Sequence, residues 1–361
     1  MKKIFTLLLA VLMVFSLVAC KKAPQSNTAT TTRTITDFKG RTVEIPEKIT
    51  SIVCVGVGAL RYTCYMDAED LVVGVEDYET KANMSRLYNY VNFGKFKSLP
   101  VIGTNGQPYT EKIIELSPDV IVMSKSASVE ADDLQNKTGT PVVVVPGSDS
   151  ALDSDTYETI RIMGELFGKQ DRANELTTYL KGIQQDLQDR TKGIADNGKP
   201  SVYVGGVSFK GHHGFEGTEA GYGPFALIGA KNLADTTGKS GAFNIDLEQV
   251  LAWDPDVIFL DFNGMQFIKE DYEKNPDYYN ALSAVKNKKV YSQISFRSSA
   301  SNLETALADA YYAASVIYPE HFKDIDPIAK TGEIFEKLLG SNPYTDLKEA
   351  GYEFRPIQIG E

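Results

Sequence analysis

Two adjacent histidines, His212 and His213, lie in a glycine-rich segment that could bind a ligand. The segment covers residues 208–224, contains five glycines and follows a predicted strand at 201–207. Glycines allow backbone to approach a ligand closely, and open α/β sheets bind ligands beyond the carboxyl ends of their strands. The histidines could contact an anionic group or a metal, or they could be solvated in a surface loop. A dedicated zinc site is weakly supported, because adjacent side chains point in different directions and no HExxH or CxxC motif is present.

Arginines lie near the ends of predicted strands in both halves of the chain. Arg297 follows a strand at 290–292, Arg61 comes shortly after Gly58, and Arg86 lies in a polar loop. A guanidinium group can donate two parallel hydrogen bonds to a carboxylate or a similar oxyanion. Arg297 could instead be a surface residue that is paired with an acid, and Arg61 and Arg86 could each be solvated.

Motifs for catalysis or cofactor binding are absent from the sequence. There is no GxSxG nucleophile elbow and no P-loop, and Gly56-Val57-Gly58 stops short of a GxGxxG dinucleotide motif. A dinucleotide site is therefore unsupported, whereas glycosidase chemistry on paired carboxylates stays open because acidic residues are abundant. The leading expectation is a protein that is not an enzyme and has no cofactor. The net charge of −11 argues against a nucleic-acid partner, because phosphate binding requires clustered lysines and arginines.

The first twenty residues have the features of a bacterial lipoprotein signal. Lys2 and Lys3 precede an apolar run at 4–18, and the sequence Leu-Val-Ala-Cys that ends at Cys20 resembles a lipobox. We predict a signal peptide at 1–19, lipidation of Cys20 with acyl chains such as palmitate, and a flexible tether at 20–33. This anchor would hold the protein at the extracytoplasmic face of the cell membrane.

Two distant segments have nearly the same pattern and organise the remaining chain. Residues 111–122 and 248–259 each contain a glutamate, a short apolar helix, a Pro-Asp pair and an apolar strand. Such internal similarity predicts two lobes of like construction. Around both segments, apolar β-branched runs alternate with helical segments on short loops, which predicts an α/β fold with mostly parallel sheets.

One long amphipathic helix is predicted between the two repeats. Its apolar residues recur three and four positions apart from Ala173 to Leu187. A helix that runs along both lobes would explain its length and its place in the chain. We therefore predict an N-terminal lobe at 34–168, an interlobe helix at 169–194 and a C-terminal lobe at 195–361.

Two cysteines remain besides Cys20. Cys54 lies in a predicted buried strand and Cys64 lies on the helix that follows. Burial as free thiols is one interpretation, and a disulfide is another because the protein is expected outside the cytoplasm. Their spacing requires neither.

The order of these segments resembles one protein family. After Cys20 come DFKGRTVEIPEKITSIV at 37–53, LPVIG at 99–103, EKIIELSPDVIV at 111–122, ELFGKQDRANEL at 165–176 and LEQVLAWDPDVIFL at 247–260. The chain looks like a substrate-binding lipoprotein of an ABC importer for iron chelates, of the siderophore, haem or cobalamin type. The resemblance implies two Rossmann-like lobes that are joined by one long backbone helix, with the ligand in the cleft between them.

The same resemblance implies partners for the chain. Glu111 and Glu248 would each pair with an arginine of the ABC permease, which works with its ATPase. The ligand would be an iron-siderophore or a related metal chelate. We expect a monomer that binds this ligand through Arg61, Arg86, Lys210, His212, His213, Tyr222 and Arg297.

Two other functions stay open on the sequence alone. A surface-anchored, metal-dependent hydrolase would use His212 and His213 together with a carboxylate such as Glu216 or Glu219. An adhesive lipoprotein would be favoured only if no cleft separates the lobes. Stoichiometric zinc in the purified protein would indicate the hydrolase, and a chelate-dependent species would indicate the receptor.

Overall fold

The computed structural model describes residues 31–147 and 151–360. The predicted signal peptide at 1–19, the predicted lipidation site Cys20 and most of the predicted tether lie outside these residues. The first strand begins at Thr32, two residues before the predicted lobe boundary at 34. Strands β1 (Thr32–Thr36) and β2 (Thr42–Pro46) form an antiparallel hairpin. Its turn contains Gly40, whose positive φ of 76° favours glycine.

A six-stranded sheet forms the N-terminal lobe. Its order is β6-β5-β4-β3-β7-β8, and only the edge strand β6 runs antiparallel to its neighbour. The inner strands are short runs of valine and isoleucine that are buried on both faces, as expected when helices cover both sides of a parallel sheet. The strands are β3 (Ile52–Val55), β4 (Val72–Glu76), β5 (Val101–Thr104), β6 (Gln107–Pro108), β7 (Val120–Ser124) and β8 (Val142–Val145).

Five helices connect or flank these strands. The last of them begins at a capping box, in which the Asp153 carboxylate accepts a hydrogen bond from the Thr156 amide at 2.8 Å. This cap places Asp153 at the edge of the lobe, next to the C-terminal half of the chain. The helices are α1 (Ala59–Tyr65), α2 (Leu87–Phe96), α3 (Thr110–Leu116), α4 (Ala131–Thr138) and α5 (Ser154–Phe167).

The interlobe helix α6 spans Gln170–Thr191, slightly less than the predicted 169–194. The predicted apolar stripe is its buried face, and it consists of Ala173, Leu176, Leu180, Ile183 and Leu187. Arg172 joins the two lobes from this helix. Its guanidinium donates to the Tyr65 carbonyl at 3.0 Å in the N-terminal lobe and to the Lys337 carbonyl at 2.8 Å in the C-terminal lobe.

The C-terminal lobe contains a four-stranded parallel sheet in the order β11-β9-β13-β14, together with a separate antiparallel pair, β10 and β12. The antiparallel pair shortens the predicted loop at 208–224. Strand β10 occupies four of its residues, so that the open loop ends at Glu216. The strands are β9 (Ser201–Gly205), β10 (Gly217–Ala220), β11 (Lys231–Asn232), β12 (Gly241–Asn244), β13 (Val257–Asp261) and β14 (Val290–Gln293).

The helices of the C-terminal lobe are α7 (Gly223–Leu227), α8 (Leu247–Trp253), α9 (Met265–Lys274), α10 (Pro276–Ala281), α11 (Ser283–Lys286), α12 (Leu303–Ile317), α13 (Pro327–Leu339) and α14 (Tyr344–Glu349). Helix α12 is almost wholly buried and packs against α7 and α13. The C-terminal tail contains α14, and further along the chain the Arg355 carbonyl accepts a hydrogen bond from the Ser292 amide of β14. Within the described part of the chain, no helix is long and apolar enough to span a membrane.

The two sequence repeats form the same local structure in both lobes. Asp119 receives hydrogen bonds from the Ser51 amide at 3.0 Å, and its own amide donates to the Ser51 hydroxyl at 3.1 Å. Asp256 repeats this exchange with Ser201, at 2.8 and 3.1 Å. The aspartate of each Pro-Asp pair therefore joins the start of one strand to the start of its parallel neighbour, which explains why the pattern recurs.

Cys54 and Cys64 are free and buried. The Cys54 sulfur lies 3.4 Å from the hydroxyl of Thr63. Of the two alternatives, the structure supports free thiols and not a disulfide.

Candidate ligand site

A cavity of about 1040 Å³ lies at the carboxyl ends of the C-terminal strands. Six segments contribute its walls: the loop after β9, the end of β10, strand β12, the turn after β13, the loop after β14, and Asp153 from the N-terminal lobe. The cavity thus lies where parallel sheets place their ligands. Polar lining residues include Ser208, Asn244, Asn263, Ser298 and Ser299, and aromatic ones include Phe209 and Phe243.

The loop after β9 separates the two histidines. The His213 ring stacks on Phe209 with 3.9 Å between ring centroids, and its Nε2 lies 2.8 Å from the Phe209 carbonyl oxygen. His212 lies 3.2 Å from the Ser208 hydroxyl through its Nδ1 and lines the cavity with Lys210. Of the adjacent pair, His212 is available to a ligand, while His213 supports the loop.

Close backbone packing fixes the base of this loop. A Cβ atom on Gly264 would lie only 2.3 Å from the Gly206 Cα and 2.7 Å from the His213 carbonyl oxygen. Gly206 itself has a φ of 81°, which favours glycine. These two glycines let the β9 and β13 ends meet and thereby orient the loop that carries His212.

Arg297 lines the cavity but is already paired with an acid. Its Nε donates to Glu219 at 2.9 Å, and its Nη2 donates to the other carboxylate oxygen. Glu219 is only 2% exposed. Burial raises the pKa of Glu219, and the adjacent guanidinium opposes that rise. Arg297 therefore presents a largely neutralised charge to a ligand.

Formal charges around the cavity are balanced. Lys210 and Arg297 are cationic, and Asp153 and Glu219 are anionic. Glu219 and Asp153 were not among the predicted binding residues. The partner of Glu219 lies 78 residues away, so this ion pair has no local sequence signal. The cap of Asp153 with Thr156 is local, but only the tertiary structure brings Asp153 to the cavity.

Of the predicted binding residues, Arg61 and Arg86 do not line this cavity. Arg61 donates from Nε to the Asn302 side-chain oxygen at 3.0 Å and from Nη2 to the Ser298 carbonyl at 3.1 Å and to the Ser299 carbonyl. Arg86 donates to the Tyr78 carbonyl at 2.9 Å and reaches the Ser299 hydroxyl at 3.4 Å. Ser299 therefore stands between the cavity and both arginines.

Tyr222, another predicted binding residue, does not line the cavity either. Its side chain is fully buried, and its hydroxyl donates to the Gln293 side-chain oxygen at 2.9 Å. Its ring packs edge-on against Phe225 and Phe296 at 4.8 and 5.3 Å between centroids. The residue thus belongs to an aromatic cluster in the core of the C-terminal lobe.

The glutamates of the two repeats occupy equivalent exposed positions. Glu111 and Glu248 lie in the first turns of α3 and α8, on the surface. One helical turn later, each helix exposes an aliphatic side chain, Ile114 at 47% and Leu251 at 38%. Each lobe thus presents a carboxylate beside an exposed aliphatic group.

The hydrolase alternative lacks the required cluster. Within residues 31–147 and 151–360, no group of three or more histidine, cysteine, aspartate or glutamate side chains is arranged to hold a metal ion. The Nε2 atom of His213 contacts the Phe209 carbonyl oxygen, and the Glu219 carboxylate accepts hydrogen bonds from Arg297. The described residues therefore offer no support for metal-dependent hydrolysis at this loop.

Comparison with known proteins agrees with this architecture. The model of the family described as "Periplasmic binding protein" matches residues 65–293, more than half of the chain. The molybdate-binding protein MolA of Haemophilus influenzae is 24% identical over 342 residues, which cover 89% of this chain and 95% of that protein. Its molybdate-bound structure has a TM-score of 0.66 at 22% identity, covering 86% of this chain and 98% of that one, which shows a shared fold.

Two relatives from Bacillus subtilis extend the comparison. The ABC transporter substrate-binding lipoprotein YvrC, named as uncharacterized, is 25% identical over 296 residues and covers 81% of this chain and 87% of its own. The Fe(3+)-citrate-binding protein YfmC is 24% identical over 224 residues, covering 61% of this chain and 65% of its own. The named ligands of these relatives are therefore of more than one kind.

Proposed function

Because the chain belongs to the periplasmic binding protein family, we propose that it captures a metal chelate, such as a ferric siderophore or ferric carboxylate, and delivers it to an ABC permease. The chain is an extracytoplasmic substrate-binding component of an ABC importer and not an enzyme. Its partners are the permease and the ATPase of that importer. The chelate, the lipid anchor and the residues that contact each partner are proposals.

The size and charge balance of the cavity carry the chelate proposal. About 1040 Å³ is near the upper end of small-molecule sites and far exceeds what a bare tetrahedral oxyanion fills. The balanced charges of Lys210, Arg297, Asp153 and Glu219 suit a ligand of low net charge with distributed polar groups. The cavity volume therefore fits a metal chelate such as the one named for YfmC better than the molybdate named for MolA.

A thermal-shift screen with ferric citrate, ferric siderophores, haem, cobalamin and molybdate tests the ligand class. A chelate at about 100 times its Kd stabilises the native state by about 2.7 kcal/mol, which raises the Tm by several degrees. His212→Ala combined with Arg297→Ala should weaken chelate binding more than tenfold in a fluorescence titration. His321→Ala, which changes the histidine remote from the cavity, is the matched control. A shift with molybdate alone would overturn the chelate proposal.

We infer that Glu111 and Glu248 contact arginines of the permease. Both carboxylates are exposed, and they stand at equivalent positions on the two lobes. Ile114 and Leu251 would exclude water beside each ion pair and strengthen it. One contact per lobe would orient the cavity over the transport path.

Charge reversal tests this docking. Glu111→Lys with Glu248→Lys should abolish uptake in liposomes that contain permease and ATPase, while ligand affinity stays unchanged. Glu115→Lys is the control, because Glu115 lies on the same helix as Glu111. It removes only an exposed ion pair with Lys112 and should leave uptake intact. Full uptake by the doubly reversed protein would refute the docking proposal.

We also propose that Cys20 carries acyl chains and that the tether holds a monomer at the membrane, as the lipoprotein name of YvrC suggests. Metabolic labelling with palmitate followed by Cys20→Ser tests the anchor. The substitution should release the protein from the membrane fraction, and continued labelling would contradict the assignment.

A further inference from the structure

Two buried arginines in the N-terminal lobe lack a direct anionic partner. Arg61 is fully buried and Arg86 is 6% exposed. Among residues 31–147 and 151–360, neither forms an ion pair within 4.0 Å, and Arg61 Nη1 and Arg86 Nε have no hydrogen-bond acceptor. A buried cation without a carboxylate and with an unsatisfied N–H group is unfavourable.

Neighbouring acids compensate these charges only at longer range. Glu79 is engaged by the Tyr88 hydroxyl and the Asn89 amide, and Glu304 by the Tyr65 hydroxyl. Burial raises the pKa of both Glu79 and Glu304, so that each carboxyl is protonated at a higher pH than usual. The Tyr88 ring centroid lies 5.0 Å from the Arg61 guanidinium carbon, and the Tyr78 ring centroid lies 4.8 Å from that of Arg86. Neither ring supplies a formal negative charge.

The turn at 298–300 occupies the space in front of both guanidinium groups. Arg61 is bound by the carbonyl oxygens of Ser298 and Ser299, and Arg86 is bound by the Ser299 hydroxyl. These are neutral acceptors in the place where paired carboxylate oxygens would bind a guanidinium more strongly. The turn thus supplies hydrogen-bond acceptors to both arginines but no negative charge.

The same turn has an unfavourable backbone. Ser299 and Ala300 have φ values of 52° and 64°, although neither is a glycine. Residues that carry a Cβ atom are disfavoured in this left-handed conformation. A bridge between Arg297 and Ser301 closes the turn, and the other side of Ser298, Ser299 and Ala300 lines the cavity.

We propose that Arg61 and Arg86 form an anion subsite that the 298–300 turn fills in this conformation and vacates when an oxyanion group of the ligand enters. This inference rests on the proposed function, since the entering group is a carboxylate or similar oxyanion of the chelate. The balanced cavity receives the body of the ligand, and the arginine pair receives its charged end. Opening the turn joins the two spaces.

Replacement of Ala300 tests the turn in the purified full-length chain. Ala300→Pro cannot adopt a positive φ and prevents the closed turn, whereas Ala300→Gly permits it and serves as the matched control. Phenylglyoxal modification, read by mass spectrometry, reports the accessibility of each arginine. Arg61 and Arg86 should react at least tenfold faster in Ala300→Pro than in Ala300→Gly, while exposed Arg161 reacts equally in both. If Arg61 and Arg86 are modified at the same slow rate in both variants, the proposal that the 298–300 turn covers the subsite is overturned.

Ligand protection tests the subsite itself. In Ala300→Pro, ferric citrate should slow modification of Arg61 and Arg86 at least fivefold if the group is a carboxylate, and molybdate should do so if it is a tetrahedral oxyanion. Protection by neither probe overturns the anion subsite. Because molybdate protection is measured without any chelate, this arm remains informative even if the wild-type protein binds none of the chelates in the thermal-shift screen.

Discussion

Neutralising Glu219 should change both the stability and the ligand preference of the protein. Glu219→Gln keeps the shape of the side chain but removes the charge that faces Arg297, and the new amide N–H group opposes the arginine donors. Breaking a buried ion pair costs about 3–5 kcal/mol. Because the Arg297 side chain is 22% exposed, some of its charge is recovered by water, and we expect a loss of about 2–3 kcal/mol.

The same change should favour anionic ligands. Arg297 would no longer be neutralised, so the cavity would carry one additional positive charge. We expect the affinity for ferric citrate to rise roughly tenfold, which corresponds to about 1.4 kcal/mol. Urea unfolding measures the stability, and isothermal titration with ferric citrate measures the affinity.

Two controls separate this mechanism from general damage. Glu216→Gln changes a carboxylate on the same segment that accepts a hydrogen bond from the Gly214 amide and lacks an arginine partner among the described residues, and it should have less than half the effect. Combining Glu219→Gln with Arg297→Met removes both charges and should recover part of the lost stability. If Glu219→Gln leaves stability and affinity unchanged, the ion pair does not control the charge of the cavity.

Two further outcomes follow from burial, and a third follows from close backbone packing. Burial raises the pKa of Asp261 to about 7, so the native state retains a proton that the unfolded state releases, and the stability contribution of this group falls as pH rises from about 4 to about 7. Asp261→Asn should therefore unfold at higher urea than wild type at about pH 8, with the difference vanishing near pH 4; a constant difference would contradict this assignment. Burial raises the pKa of Cys54 to about 12 and raises that of Cys64, so a thiol reagent should modify both at least about a hundredfold more slowly in native than in unfolded protein. Gly264→Ala would place a Cβ 2.3 Å from another backbone carbon and should cost about 1–3 kcal/mol, whereas Gly182→Ala, with open space around it in α6, should stabilise by about 0.5–1 kcal/mol; equal urea midpoints would refute the packing argument.

Local patterns in the sequence were sufficient for the scaffold. The apolar β-branched runs predicted buried parallel strands, because such runs can be stable only with helices on both faces. The apolar spacing from Ala173 to Leu187 predicted the buried face of α6, and the structure confirms it. The repeated Pro-Asp pairs predicted two like lobes, in which Asp119 and Asp256 perform the same strand-joining role.

Tertiary structure alone decided the character of the site. Arg61 meets the 298–299 carbonyls across 237 and 238 residues of sequence, and Arg297 meets Glu219 across 78. The packing of the lobes determines these partners. The sequence around an arginine at a strand end is therefore the same whether the side chain contacts a ligand or another part of the chain. Tyr222 shows the same limit, because its ring packs into the core and does not line the cavity. Periodicity encodes which face of an element is apolar, whereas the pairing of buried charges depends on distances that only the folded chain sets.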